Sequence, residues 1–436
     1  MLTVEGIEKK TAVIGVVGMG YVGLPLALTY AEEGFKVIGY DIDKKKASSI
    51  KAGKTYIKHI SSERIQDAVK KGMECTADFT RIPEADVLLV CVPTPLDDHL
   101  QPDLSFITGT AEQIGPYLKK GQLIVLESSS FPGTTEEIMR PVLEEKSGLT
   151  AHKDFHLAYS PEREDPNNPR YTTKNIPKVV GANSEKSLEL AVALYEAALD
   201  EAVPVSSAEA AEATKIFENA FRGVNIALVN EIKVILDAMG IDVWEVIRAA
   251  STKPFGFMPF YPGPGLGGHC IPIDPFYLTY KAREFEIPTR FIELAGEINT
   301  NMPRWVVDKV MNALNERKKA LNGSRVLIVG LAYKKNVDDM RESPSLRLIE
   351  LLLEKGASVD YHDPYLPKVP RTRRYNYDMT SVELTPENIS SYDAVLIATD
   401  HDNVDYDYLV KHAQLVVDTR NATKDIKEDR DKIVKA

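Results

Sequence analysis

TAVIGVVGMGYVGLPLALTYAEEGFKVIGYD, residues 11–41, decides the fold. Residues 11–17 form a short apolar run, residues 24–31 carry apolar side chains at helical spacing, and residues 36–40 form a second apolar run. Between the first run and the helix stand Gly18, Gly20 and Gly23 in the spacing GxGxxG. Strand before, helix after and a second strand ending at Asp41 supply the context that this spacing needs to mean a dinucleotide site. Gly18 makes the tight turn, Gly20 lets the backbone approach a pyrophosphate, and Gly23 packs helix on strand. The anion then meets the free N–H groups of a helix N-terminus. Tyr21 and Val22 complete the loop. Asp41 is placed to accept hydrogen bonds from a ribose and to repel a 2′-phosphate, which predicts NAD rather than NADP. Lys46 flanks the adenosine.

The same alternation continues outward. Apolar runs at 87–92, 123–126, 156–159 and 178–181 predict further buried strands of a parallel sheet. From about 206 to 239 apolar residues recur at helical spacing up to Gly240, which predicts one long helix spanning two lobes or forming a subunit interface. A Gly/Pro-rich loop (FGFMPFYPGPGLGGHCIPIDP, 255–275) and further helical segments follow, to about 319. RVLIVG, SVDYHDP, DAVLIATD and LVVDTR then restore the alternation in a second α/β lobe. Its turn has Gly330 alone and predicts no second dinucleotide. It places Tyr333 and Lys334 at the carboxyl end of a strand, where open sheets bind ligands. The expected fold is α/β: two Rossmann-like parallel-sheet domains (1–205 and 319–436) joined by a long central helix and a helical middle domain (206–318).

Composition bounds the function. The chain has 436 residues, 44% hydrophobic and 27% charged, with a net charge of -11. That balance is globular, and its sign disfavours nucleic acid. An anionic ligand must be met by local cations and amides. No apolar run reaches about 18 residues, so no membrane span is expected. MLTVEGIEKK lacks the apolar core of a signal peptide. Three cysteines make no disulfide framework, which points to the reducing cytoplasm, and no metal is expected.

Chemistry concentrates in the middle of the chain. Cys91, inside VLLVCV, reads as a small buried hydrophobe, and so does Cys75. Cys270 does not: it follows Gly267-Gly268-His269, glycines that let a backbone present a thiol, and precedes Asp274, which also fits a helix start. Lys215 and Asn219 are at i and i+4 on the long helix and share one face, with Arg222 a turn further on.

Together GMGYVGLPLA (18–27), VPTP (92–95), ESSSFPGTT (127–135), YSPER (159–163), AEATKIFEN (211–219), NIALVNE (225–231), GPGLGGHCIPIDP (263–275) and GLAYKKNVDDMRESPS (330–345) resemble the UDP-glucose/GDP-mannose dehydrogenase family over nearly the whole chain. YIKHI (56–60) with PFGFMPFYPGPGLGGHC (254–270) looks most like its UDP-N-acetylglucosamine 6-dehydrogenase branch. The resemblance implies Cys270 as nucleophile, Lys215 and Asn219 as oxyanion stabilisers, and Asp274 and Ser129 as holders of water, Ser129 standing where the family often has Thr. Glu162 matches the first acid of the family's SPE motif. The second acid is replaced by Pro166, with Glu164 and Asp165 nearby. Thr94, Ser129 and Arg341 fall to the cofactor. Arg163, Arg222, Lys334, Tyr333, Phe257, Tyr261 and Gly267 fall to a UDP-sugar. The implied reaction is a four-electron oxidation at C6 through a Cys thioester, for surface polysaccharide synthesis, by a homodimer paired through the long helix. Loop 255–260 lacks a basic residue, which ranks UDP-N-acetylglucosamine ahead of its galacto and manno epimers and UDP-glucose last. A two-electron β-hydroxyacid dehydrogenase needs neither Cys270 nor the second α/β lobe, and a non-catalytic nucleotide-sugar binder would tolerate the loss of Cys270 or Lys215.

Overall fold

A computed structural model of the chain describes residues 2–57, 60–97, 101–163, 170–268, 271–370 and 374–436. These fall into two compact units. Unit 1 comprises residues 1–218 and 276–288, and unit 2 comprises 219–275 and 289–436. The chain passes from the first to the second within the helix Ala208–Ala238.

Unit 1 is built on eight strands: β1 Val13–Val17, β2 Lys36–Tyr40, β3 Glu74–Thr76, β4 Val87–Val90, β5 Leu123–Leu126, β6 His156–Tyr159, β7 Lys178–Gly181 and β8 Ala202–Val205, in the order β3-β2-β1-β4-β5-β6-β7-β8. Every pair is parallel except β6–β7. The central strands are apolar throughout because both faces are covered. Along β4, Val87 and Leu89 enter one core while Leu88 and Val90 enter the other. β3 and β8 escape the sequence reading. β3 is three residues with none buried, and β8 contains Pro204, which marks an edge.

Unit 2 carries β9 Arg325–Val329, β10 Ser358–His362, β11 Ala394–Ile397, β12 Val416–Asp418 and β13 Ile433–Lys435, all parallel, in the order β10-β9-β11-β12-β13. β9 divides its side chains in the same way, Val326 and Ile328 to one core and Leu327 and Val329 to the other. The strand order reverses between β9 and β11, and Gly330 lies at that switch point. The fold is thus α/β with two Rossmann-like sheets, parallel as the sequence predicts except that β7, expected to run with the rest, and β8 run the other way. No helix among the described residues is long and apolar enough to cross a membrane.

One buried carboxylate ties the long helix to the sheet of unit 1. Gly133 ends the β5 loop at φ +104°, and the helical segment Thr134–Met139 that follows has no cap of its own. Glu212 supplies one: it accepts from Gly133 N (2.6 Å), Thr135 N (2.9 Å) and Thr135 Oγ1 (2.6 Å). Burial pushes this carboxyl up to about 7 against the pull of those donors. Glu212→Ala leaves two N–H groups and a hydroxyl buried without an acceptor, and should cost on the order of 3 kcal/mol in urea unfolding. The raised value also has a signed consequence. The folded chain holds a proton between pH 4.5 and 7 that the unfolded chain has lost. Stability from Glu212 is therefore full below 4.5 and declines as pH rises through 7, by about 1.4 kcal/mol per unit. Wild type should lose stability relative to Glu212→Gln across that window, and a gain would reject the assignment.

Candidate functional site

The glycine loop of unit 1 is built to receive an anion. Gly18 has φ +92°, and a Cβ there would lie 2.5 Å from Cys91 O. A Cβ on Gly23 would lie 2.0 Å from Gly18 O, so helix and turn touch backbone to backbone. Gly20, by contrast, faces open space. The helix Gly23–Glu32 has no side-chain cap and no acid in its first turn, so no side chain competes with a ligand for the positive end of its dipole. Met19 fixes the loop from both sides. Its N–H donates to Asp41 Oδ2 (2.8 Å), and its carbonyl accepts from Tyr56 Oη (2.7 Å). Asp41 is buried, and also takes Lys46 Nζ (2.8 Å) and Asp43 N (2.9 Å). Tyr21 is exposed, and Thr94 is buried with its carbonyl accepting from Tyr277 Oη (2.6 Å). An uncapped helix start, a side-chain-free approach at Gly20 and an acid at the end of β2 fit the pyrophosphate and adenosine ribose of NAD.

A second set of groups gathers at the carboxyl ends of β5 and β6. Ser128, beside the half-buried Ser129, bonds both backbone groups of Val92 (Val92 N to Oγ 2.9 Å, Oγ to Val92 O 2.7 Å). Glu162 accepts the N–H of Arg163 (2.6 Å), and its carbonyl accepts from the buried Lys215 Nζ. Arg163 reaches Pro177 O (2.7 Å) and pairs with Glu218 (2.6 Å). Beneath Glu162 lies an ion cluster that sequence reasoning missed. Lys178 Nζ is 2.6 Å from Glu127 Oε2 and 3.7 Å from Glu162 Oε2, and Tyr195 Oη donates to Glu127 Oε1. Burial alone would lower Lys178, but the two carboxylates outweigh it and hold the ammonium charged. A lysine opening an apolar strand, with Glu127 closing another, was the available signal.

Unit 2 holds the other expected residues. Asn219 is fully buried on the long helix, donating to Asp274 Oδ2 (2.6 Å) and accepting from Arg222. Asp274 opens the helix Asp274–Ala282 and is itself fully buried. Gly267 and Gly268 pack against Tyr333 so closely that a Cβ on either would lie within 3 Å of its side chain. Gly268 N donates to Arg341 O (3.0 Å). Arg341's side chain pairs with Asp339 (2.7 Å), and Lys334 is half-buried. Tyr261 is exposed and stacks on Trp244, and Phe257 is exposed. Lys233, unforeseen, is buried over the Trp305 ring and donates to Gly263 O (3.3 Å); burial first, then Arg420, brings it down to about 7. His269, Cys270, Glu164, Asp165 and Pro166 lie outside the described residues. Of the other cysteines, burial raises Cys91 well above the ordinary thiol range and Cys75 to about 12, so both are thiols at neutral pH. Among the described residues, no cluster of three or more His, Cys, Asp or Glu is arranged to hold a metal.

Comparison with known proteins places the chain in a family over nearly its whole length. Residues 12–199 match the NAD binding domain of the UDP-glucose/GDP-mannose dehydrogenase family, 209–301 its central domain, and 327–425 its UDP binding domain. The chain is 36% identical over 393 residues to a UDP-N-acetyl-D-glucosamine 6-dehydrogenase of Pseudomonas aeruginosa, covering 90% of this chain and 91% of the relative. It is 34% identical over 395 residues to a UDP-N-acetyl-D-mannosamine dehydrogenase of Methanococcus maripaludis, covering 89% and 86%. Among solved structures, a UDP-D-ManNAc dehydrogenase from Pyrococcus horikoshii aligns with TM-score 0.86 at 31% identity, over 97% of this chain and 98% of that one. The chain therefore belongs to the UDP-glucose/GDP-mannose dehydrogenase family, and is an NAD-dependent oxidoreductase acting on the CH–OH of a sugar nucleotide.

Proposed function

We propose that the protein oxidises the C6 hydroxymethyl of a UDP-N-acetylhexosamine, UDP-N-acetylglucosamine first, to the carboxylate, in the cytoplasm and for surface polysaccharide synthesis. The observation that carries this reading is a pair of buried polar residues one helical turn apart in the chain. Lys215 is held on a backbone carbonyl, and Asn219 is held between Asp274 and Arg222. Buried, fixed donors of this kind suit an oxygen on which charge develops.

The overall reaction is R–CH2OH + 2 NAD⁺ + H2O → R–COO⁻ + 2 NADH + 3 H⁺. NAD⁺, when bound at the glycine loop, supplies the hydride acceptor twice per turnover. This chain's residues do the rest. The Cys270 thiolate bonds to the C6 aldehyde carbon, and Lys215 and Asn219 stabilise the resulting oxyanion, each such donor being worth about 3–4 kcal/mol in comparable sites. After the second oxidation a thioester remains. Water held by Asp274 and Ser129 adds to its carbonyl carbon, Glu162 takes the water's proton, the C–S bond breaks, and the thiolate is regenerated. Arg163, Arg222 and Lys334 are the cations assigned to the diphosphate, and Phe257, Tyr261, Gly267 and Tyr333 are assigned to the nucleotide sugar. Arg341 and Thr94 belong to the cofactor side. The apolar wall at 255–260 suits an acetyl methyl better than a bare hydroxyl. The manno epimer is the second reading, favoured by relatives of that name at 34–35% identity.

Assembly follows from the long helix. Leu228, Ile232 and Ile235 with the adjoining Met239 form a stripe at helical spacing that is 56%, 38%, 41% and 65% exposed, an unpartnered apolar face suited to a two-fold homodimer.

Three outcomes are expected. Cys270→Ser should keep its fold and NAD binding but lose acid formation by on the order of 10³-fold or more. Mass-spectrometric detection of product acid at the wild-type rate would reject the thioester. In NADH assays at equal subsaturating concentrations, UDP-N-acetylglucosamine should lead UDP-glucose by roughly 10–200-fold. A lead for UDP-N-acetylmannosamine selects the second reading, and a lead for UDP-glucose over every N-acetylated sugar rejects both. Sedimentation at micromolar concentration should give a dimer that Ile235→Arg weakens at least about tenfold, and a wild-type monomer would refute the interface.

A further inference from the structure

In a parallel sheet the carboxyl ends of the strands share one edge, and ligands are handled there. A strand running the other way delivers its first residue to that edge instead. β7 runs antiparallel to β6, and its first residue is Lys178. The β6–β7 register pairs Tyr159 with Gly181, so its continuation brings Glu162 opposite Lys178. Ser160 Oγ, bonded to Val179 O at 2.7 Å, lies along that continuation. The ammonium reaches 2.6 Å from Glu127 Oε2, just past β5, and 3.7 Å from Glu162 Oε2, just past β6.

We propose that Lys178 is a positioning residue for the reaction: a buried cation, shared between Glu127 and Glu162, that aims the Glu162 carboxylate at the attacking water whose proton it accepts. The inference rests on the role given to Glu162 above and adds the group that sets it. The geometry is asymmetric. Glu127 is fully buried, and its oxygens are taken by Lys178 and by Tyr195 Oη. Glu162 retains solvent access, with one oxygen on Arg163 N and the other toward Lys178. Other groups face the cluster from the elements packed around it. Cys91 and Tyr30 are both raised above their ordinary ranges by burial and so neutral, Lys215 is on the Glu162 carbonyl, and Arg163 is occupied by Glu218. Without Lys178, Glu127 and Glu162 become two neighbouring carboxylates short of a cation, and one must take up a proton. Burial raises the Glu127 carboxyl and the Lys178 ammonium pulls it back down; with Glu127 replaced by an amide, the ammonium belongs to Glu162 alone. The two changes therefore push Glu162 in opposite directions, which a scaffolding role does not predict.

The test measures the pH profile of kcat with UDP-N-acetylglucosamine and NAD⁺, together with the fraction of acid-quenched enzyme carrying an acyl thioester by intact mass. Lys178→Met should move the acidic limb up by at least about one pH unit. It should also accumulate thioester below the limb and leave KM for the sugar within about threefold. Lys178→Arg should restore the limb. Glu127→Gln should move the limb down, and this arm decides if Lys178→Met does not fold. A kcat lowered equally at every pH in Lys178→Met, or an unmoved limb in Glu127→Gln, overturns the inference. Glu162→Gln separates the two levels. If it blocks thioester hydrolysis while the limb stays fixed in the other variants, Lys178 alone loses its role. If it hydrolyses like wild type, the reading of Glu162 falls and this inference falls with it.

Discussion

Both sheets depend on one contact, the approach of a glycine to the strand across the switch point. Gly18 leaves β1 at φ +92°, donates to Tyr40 O at the end of β2, and would place a Cβ 2.5 Å from Cys91 O beyond β4. Gly330 leaves β9 at φ +91°, donates to His362 O at the end of β10, and would place a Cβ 2.5 Å from Thr399 O beyond β11. The chain must turn between two neighbours at backbone distance, in the left-handed region. Any side chain would force the strands apart, and with them the edge where ligands are handled.

The two units then diverge through the acid that follows the second strand. Asp41 takes one N–H of its glycine loop, Met19 N, and leaves the helix beyond uncapped. Asp363 accepts from Leu331 N, Ala332 N, Tyr365 N and Leu366 N, and contacts the fully buried His401 at 3.1 Å. The helix Pro344–Glu354, which follows this turn in unit 2, is capped by Ser343. In the first unit no side chain caps the helix that follows the turn; in the second the loop amides beyond the glycine are consumed by Asp363. The same turn yields a dinucleotide cradle once and a locked structural knot once.

Most of this was legible wherever a single physical signal acted over many residues. Long apolar strands, the glycine spacing and the helix ending near Gly240 were read within a few residues, because buried strands and helices impose their periods strongly. The strands that escaped are β3, β8 and β13, each three or four residues long with little or nothing buried. Their pairing is decided by the sheet they join. The helix partners of Asn219 and Lys215 were half legible. Spacing put Lys215 and Asn219 on one helix face, but the carbonyl of Glu162 as the Lys215 acceptor and Asp274 as the Asn219 acceptor depend on tertiary folding. Glu212 and Lys178 were missed for a common reason. Nothing in the local pattern marks the partners of either charge, and only the fold brings them together.

That burial needs a reason other than stability. Removing an ammonium and a carboxylate from water costs several kcal/mol each, and apolar residues of similar volume commonly match or exceed such a pair in stability. Lys178 and Glu127 are both buried, so the stability of unit 1 alone does not explain why the pair is charged. What an apolar pair cannot supply is a field. The cluster sits where β5 and β6 end and where a reversed β7 begins, and it points its charge at the one carboxylate of the group that keeps solvent access. Tyr195 satisfies the oxygen of Glu127 that Lys178 does not, so the pair is locked rather than mobile. A fixed charge of this kind needs no reorganisation when a neighbouring group exchanges a proton, which is the property that electrostatic preorganisation requires.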